Sequence, residues 1–131
     1  MQILQPPGWG KPKGYSNGIV AKGRLVFVAG QVGWNPQHEK FESSDFVAQA
    51  RQALSNIVAI LAEAGAKPEH IVRMTWYVGD RDEYRAAGKA LGAVYREIIG
   101  RHFPVMTGIQ VAGFVEDGAK LEIEATAVLP D

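Results

Sequence analysis

The sequence contains no cysteine among its 131 residues. That absence excludes a disulfide framework, a metal site built on thiolates and a cysteine nucleophile. Charge of one sign is not in excess either, because 14 lysines and arginines balance 14 aspartates and glutamates. A chain with zero net charge has no overall field to attract a polyanion. We therefore expect no nucleic-acid partner.

Long apolar runs are missing as well. A membrane-spanning helix needs about 20 consecutive apolar residues, and no stretch of this sequence comes near that length. The first residues include Pro6 and Pro7 and lack the basic and apolar segments of a secretory signal. These features predict a cytoplasmic protein with no membrane partner. The hydrophobic share of 47% is typical of a folded chain, and the length predicts a single domain over 1–131.

Hydrophobic periodicity predicts an α+β fold. Apolar residues recur with a helical period over 46–64, with Ser44 as the expected N-cap and Gly65 just beyond the C-terminus. A second helix is predicted from Asp80 to Gly100. Alternating or β-rich segments predict five strands, at 19–21, 25–29, 71–78, 106–111 and 121–129.

The element order is ββαβαββ, which indicates a mixed, mostly antiparallel sheet with both helices on one face. The first eighteen residues are rich in proline and glycine and are expected to form an irregular lead-in. The turn at Lys22 and Gly23 predicts that the first two strands form a hairpin.

The second face of this sheet is predicted to be polar. On the last strand Glu122 and Glu124 alternate with apolar residues, and Arg73, Thr75 and Tyr77 do the same on the third strand. Helices on one side leave this face to water or to another subunit. The two carboxylates lie on the same face, roughly 6.5–7 Å from each other. They are either a solvated or ion-paired strand surface, or one of them is desolvated at a subunit boundary and acts on a water molecule.

Phosphate-binding and dinucleotide-binding motifs are absent. The sequence has no Walker loop and no Rossmann glycine pattern. The histidines His38, His70 and His102 are far apart and have no partner one helical turn away, so we expect no metal site. No serine neighbours a candidate base.

Several segments, taken together, resemble the YjgF/RidA family, also called reactive intermediate deaminases or L-PSP proteins. They extend over nearly the whole chain, at 14–18, 26–32, 49–57, 62–66, 71–78 and 122–128. The resemblance implies a chorismate-mutase-like fold and a homotrimer with a small-molecule cleft between neighbouring subunits. It also implies hydrolysis of an enamine or imine to a ketone and ammonia, without a metal or other cofactor.

The resemblance also implies roles for individual residues. Tyr15 is expected to line the cleft, Gly30 and Gln31 to hold the ligand through backbone groups, and Glu122 to orient the attacking water. Because the stretch before Glu122 is about one residue longer than in the deaminases, Glu124 is the alternative carboxylate.

The sequence departs from the family pattern at the substrate-binding positions. Met106 stands where the deaminases have an arginine that grips the substrate carboxylate, and Ala29 stands where they have a serine. Gly88 corresponds, with a loose alignment, to a family asparagine. These replacements predict that 2-aminoacrylate is not the substrate. A larger or less anionic enamine is expected beside Met106, Ala29 and aromatic residues such as Tyr15, Trp9 or Trp34. The alternative hypothesis is a non-catalytic trimeric module that binds or senses a small molecule.

Overall fold

The first helix forms where the sequence has its clearest helical period. The computed structural model describes residues 1–131 and places helix α1 at Phe46–Glu63. Its N-cap is Asp45, whose carboxylate accepts a hydrogen bond from the backbone N–H of Ala48 at 2.9 Å, so the expectation of Ser44 was wrong by one residue. Gly65 adopts a φ of +73° just past the helix, as expected for a residue that terminates it.

Six strands and two further helices complete the fold. The strands of the main sheet follow the order β3-β6-β4-β5, in which β6 pairs antiparallel with β3 and β4, and β5 pairs parallel with β4. This confirms the mixed, mostly antiparallel α+β sheet. The remaining elements are β1 (Gln2–Leu4), β2 (Gly18–Val20), β3 (Arg24–Val32), β4 (Ile71–Val78), α2 (Arg81–Ala86), α3 (Gly88–Ile98), β5 (Val105–Gln110) and β6 (Leu121–Leu129).

The core lies between the helices and one face of this sheet. Strand alternation places Met74 of β4 and Ile123 of β6 on that face, where both are completely buried against α1 residues such as Leu54 and Ile57. Gln49 is the largest polar side chain buried there. It donates to the carbonyl oxygens of Ser43 and Gly118, and so ties the loop before β6 to α1.

The predicted hairpin between the first two strands was wrong. Strand β2 pairs instead with β1, which lies inside the segment expected to be irregular. Strand β3 pairs with β6 from Arg24 onward. Gly23 shows why. Its φ is +148°, and a side chain there would overlap the carbonyl of Leu129. The turn therefore directs β3 into the main sheet, beside β6, rather than back alongside β2.

The second predicted helix is interrupted. Ala87 has a φ of −87° and a ψ of 1°, and its N–H is shared between the carbonyl oxygens of Glu83 and Tyr84. Gly88 follows directly, and glycine lowers helix propensity by about 1 kcal/mol relative to alanine, which explains a break at this point. None of the helices has the length and apolarity needed to cross a membrane.

Candidate functional site

A groove of about 680 Å³ lies between α3 and the edge strand β5. Tyr15, Gly88 and Met106, three of the positions singled out by the resemblance, line it together. Buried Ser16 fixes the tyrosine beside β5, since its N–H and its hydroxyl donate to the carbonyl oxygens of Pro104 and Phe103 at 3.1 and 2.5 Å. We call this cavity the aromatic groove.

Five of the fourteen residues that line it are aromatic. Tyr95 stacks on Phe103 with ring centroids 6.0 Å apart, and its hydroxyl donates to the carbonyl of His102 at 2.6 Å. Burial raises the pKa of Tyr95 above its ordinary value, so this hydroxyl keeps its proton and serves the packing. Trp76 and Tyr84 meet edge to face at 6.2 Å and complete the wall. The groove therefore presents flat apolar surfaces to a ligand.

Met106 reaches the aromatic groove from the helix side of the sheet. In the parallel pairing of β4 and β5, Met106 is opposite Met74, which belongs to the core face, and it packs against the core cluster. A thioether offers only a weak acceptor at this place, so it cannot hold a carboxylate.

A second group of candidate residues lies on the opposite face of the sheet. Strand β3 has a β-bulge between Val28 and Gln31. The chain advances three residues on β3 there, while the paired strand β6 advances only two. Within the bulge, the Gln31 side-chain amide donates to the carbonyl of Ala29 at 3.1 Å. A Cβ atom at Gly30 would overlap the carboxylate of Glu122. The bulge and the absent side chain thus bring this carboxylate directly over the backbone of β3.

The two glutamates differ in their partners. The Tyr77 hydroxyl donates to Glu124 Oε1 at 2.7 Å. This hydrogen bond, with desolvation and the charges of Glu124 and Glu122, raises the pKa of Tyr77 above its ordinary value. Glu122 makes no hydrogen bond, and the two ion pairs of the chain join other residues. We call Gly30, Tyr77, Glu122 and Glu124 the carboxylate cluster, and within it Glu122 is the free carboxylate.

The aromatic groove and the carboxylate cluster do not meet within one chain. Glu122 is on β6 and Met106 on β5, with β4 between them, and their side chains leave opposite faces of the sheet. Two strand spacings alone separate them by about 10 Å. A small ligand cannot contact both from the same chain.

The face that bears the carboxylate cluster also exposes apolar side chains. Phe27 of β3, opposite Thr126, is 73% exposed, and Leu25 on the same strand is 60% exposed. The helices cover only the other face, which confirms that the polar face is open. Large exposed apolar residues beside a polar cluster are characteristic of a subunit interface.

Sequence reasoning missed most of the groove wall. Trp9 and Trp34 do not line the aromatic groove; Trp34 packs on Phe41 at a centroid distance of 5.7 Å. The signal that could have found the wall is the spacing of Gly88, Gly92 and Arg96, which recur every four residues on α3 and lie on one helix face. No group of three or more histidine, aspartate or glutamate side chains comes together as a metal site would require.

Comparisons with known proteins agree with this architecture. The family described as Endoribonuclease L-PSP matches residues 10–129. The chain is 37% identical over 106 residues to a RutC family protein of Haemophilus influenzae, covering 81% of this chain and 80% of that protein. It is 28% identical over 114 residues to the human 2-iminobutanoate/2-iminopropanoate deaminase, covering 87% and 79% respectively.

A solved structure shows the same fold. The Rid-family protein YyfB from Yersinia pestis aligns with a TM-score of 0.81 and 31% identity over 98% of each chain. The α+β sheet with helices on one face is thus the chorismate-mutase-like fold of these proteins. The chain belongs to the L-PSP family, also known as YjgF/RidA, which confirms the resemblance seen in the sequence.

Proposed function

We propose that this protein is a hydrolytic deaminase of an enamine or imine that works as a homotrimer. The observation that carries the proposal is the free carboxylate of Glu122, held over Gly30 on an open sheet face. A relative that is named as a 2-iminobutanoate/2-iminopropanoate deaminase supports the reaction class. Small-molecule hydrolysis also suits a chain with zero net charge better than RNA cleavage does.

The separation of the two candidate regions favours a site built by two subunits. The aromatic groove of one subunit would face the carboxylate cluster of the next, around the exposed Phe27 and Leu25. Closed cyclic symmetry then gives one such site at each of the three interfaces. This arrangement brings Tyr15 and Met106 opposite Glu122 of the partner subunit.

Glu122 would supply the proton transfers of the reaction. The enamine tautomerises to an imine, whose carbon is electrophilic. The carboxylate accepts a proton from a water molecule as the oxygen bonds to that carbon, giving a tetrahedral carbinolamine. It returns this proton to the nitrogen, then takes the hydroxyl proton of the carbinolamine and passes it to the nitrogen as the C–N bond breaks, so that a ketone and ammonia leave. Tyr15 and the backbone at Gly30 and Gln31 orient the ligand.

Met106 separates this chain from deaminases of small amino-acid-derived enamines. A charge-assisted hydrogen bond contributes about 1.5–3 kcal/mol, so its loss costs roughly tenfold to more than a hundredfold in affinity. Ala29 removes a further hydroxyl contact. The proposed substrate is therefore larger than 2-aminoacrylate.

Ammonia release tests the proposal directly. The purified protein is incubated with freshly generated 2-aminoacrylate and with enamines that carry a phenyl or long alkyl group. We expect hydrolysis of the bulky enamines above their spontaneous rate, and little acceleration with 2-aminoacrylate. Decay of every enamine at its uncatalysed rate would contradict the proposal. It would favour the alternative, a trimeric binding module, which the replacements at Met106 and Ala29 also suit.

A methyl group at Gly30 should impair turnover. In Gly30→Ala the new Cβ overlaps the Glu122 carboxylate, which must move away from the backbone of β3. Misplacement of a catalytic group by about 1 Å can cost about a hundredfold in rate, so we expect kcat to fall about 10- to 100-fold. The control is Gly113→Ala, since a Cβ there meets nothing within 4 Å. Equal kcat values for the two variants would argue against a catalytic role for the Gly30–Glu122 contact.

A further inference from the structure

The aromatic groove has a strongly one-sided charge. Lys13, Arg85 and Arg96 line it, and no aspartate or glutamate does, although the whole chain has zero net charge. None of the three cations takes part in an ion pair, because the two ion pairs join Arg51 to Glu97 and Lys120 to Glu83. Three cations without counterions beside one cavity attract an anion.

We propose that Arg96, assisted by Arg85, binds the anionic group of a substrate whose aromatic body fills this groove. This inference rests on the proposed function and names its substrate class: an enamine or imine that carries both an aromatic ring and a carboxylate. The arginines on the helix wall take over the anion-binding role that Met106 cannot perform.

The placement of the Arg96 side chain depends on Gly92, which lies one helical turn earlier. A Cβ atom at Gly92 would lie 3.4 Å from Nη1 of Arg96, so the guanidinium lies back along α3 over this glycine. Side chains on a helix lean toward its N-terminus, which directs Arg96 toward Gly88 and the open part of the groove. No atom lies within 4 Å of a Cβ built at Gly88. The helix therefore leaves a path from the guanidinium to the cavity beside Met106.

The size and lining of the groove select for an aromatic body. Five of the chain's twelve aromatic residues line it: Tyr15, Trp76, Tyr84, Tyr95 and Phe103. Ring faces and edges of this kind favour offset stacking or edge-to-face contact with a ligand ring. A volume of about 680 Å³ lies within the range of sites for drug-sized molecules and greatly exceeds that of a small enamine.

A binding experiment with three matched probes tests the inference without requiring turnover. Phenylpyruvate has both the ring and the carboxylate, methyl phenylpyruvate has the ring without the charge, and pyruvate has the charge without the ring. Isothermal titration calorimetry on the intact protein should show the tightest binding for phenylpyruvate. In Arg96→Gln its affinity should fall roughly 10- to 100-fold, while that of the methyl ester stays unchanged. Arg85→Gln should show a smaller loss.

The matched control is Arg101→Gln, which removes the same charge from an exposed residue outside the groove. The inference is overturned if the acid and its ester bind equally, if no probe binds at millimolar concentration, or if Arg96→Gln behaves like Arg101→Gln. Binding through Arg96 with no hydrolysis of any enamine would support the inference and contradict the deaminase function. Hydrolysis that is insensitive to Arg96→Gln would do the reverse.

Discussion

Glu122→Gln should lower the rate of enamine hydrolysis by about 10²- to 10⁴-fold, the range that a positioned acid–base group contributes. Glutamine has nearly the same size but cannot accept and return a proton. The binding of a product analogue should therefore remain close to that of the unchanged protein. Ammonia release under saturating substrate, together with calorimetry on phenylpyruvate, separates these two effects.

Glu124→Gln is the matched control on the same strand face. Its carboxylate already accepts the hydrogen bond from Tyr77, and the amide oxygen of glutamine can still do so. We expect the rate to fall less than about tenfold, because this group orients its neighbours without transferring the proton. The opposite result, a large loss for Glu124→Gln and a small one for Glu122→Gln, would assign the catalytic role to Glu124.

Two inactive variants should restore each other's activity when they assemble together. Glu122→Gln retains an intact aromatic groove, and Gly88→Phe fills the groove from a position with open space around its Cβ while leaving Glu122 in place. If each site takes its groove from one subunit and its carboxylate from the next, random mixed trimers regain about one quarter of the sites. Co-expression of the two chains, followed by an ammonia assay, measures this recovery.

The control for that experiment is co-expression of Glu122→Gln with Glu122→Ala, which cannot recover activity because every site lacks the carboxylate. Absence of recovery in the first mixture would contradict a site shared between subunits. So would analytical ultracentrifugation that showed only a species of 14.2 kDa, the mass of one chain.

Local patterns in the sequence predicted most of the strands and their buried faces. They did not predict which strands pair with each other. Alternation in β4 and β6 correctly separated the buried Met74 and Ile123 from the outward-facing Tyr77 and Glu124. The hairpin failed because the turn at Gly23 is determined by its close approach to a strand about one hundred residues away, which no local signal encodes.

The candidate site was predictable only in part for a similar reason. The family resemblance identified Tyr15 and Met106 as candidate site residues, and both line the same cavity. The walls contributed by Tyr95 and Arg96 depend on which face of α3 is directed at the edge strand, and that is determined by packing between distant elements. Spacing along a helix shows which residues share a face, but not what that face contacts.

The edge position of strand β3 bears on the aggregation of newly made chains. It is a nine-residue strand at the edge of the sheet, with a free row of backbone donors and acceptors beside the exposed Phe27. Such an edge can pair with any extended segment it encounters. A newly made chain that exposes this edge can therefore pair with other extended chains and aggregate.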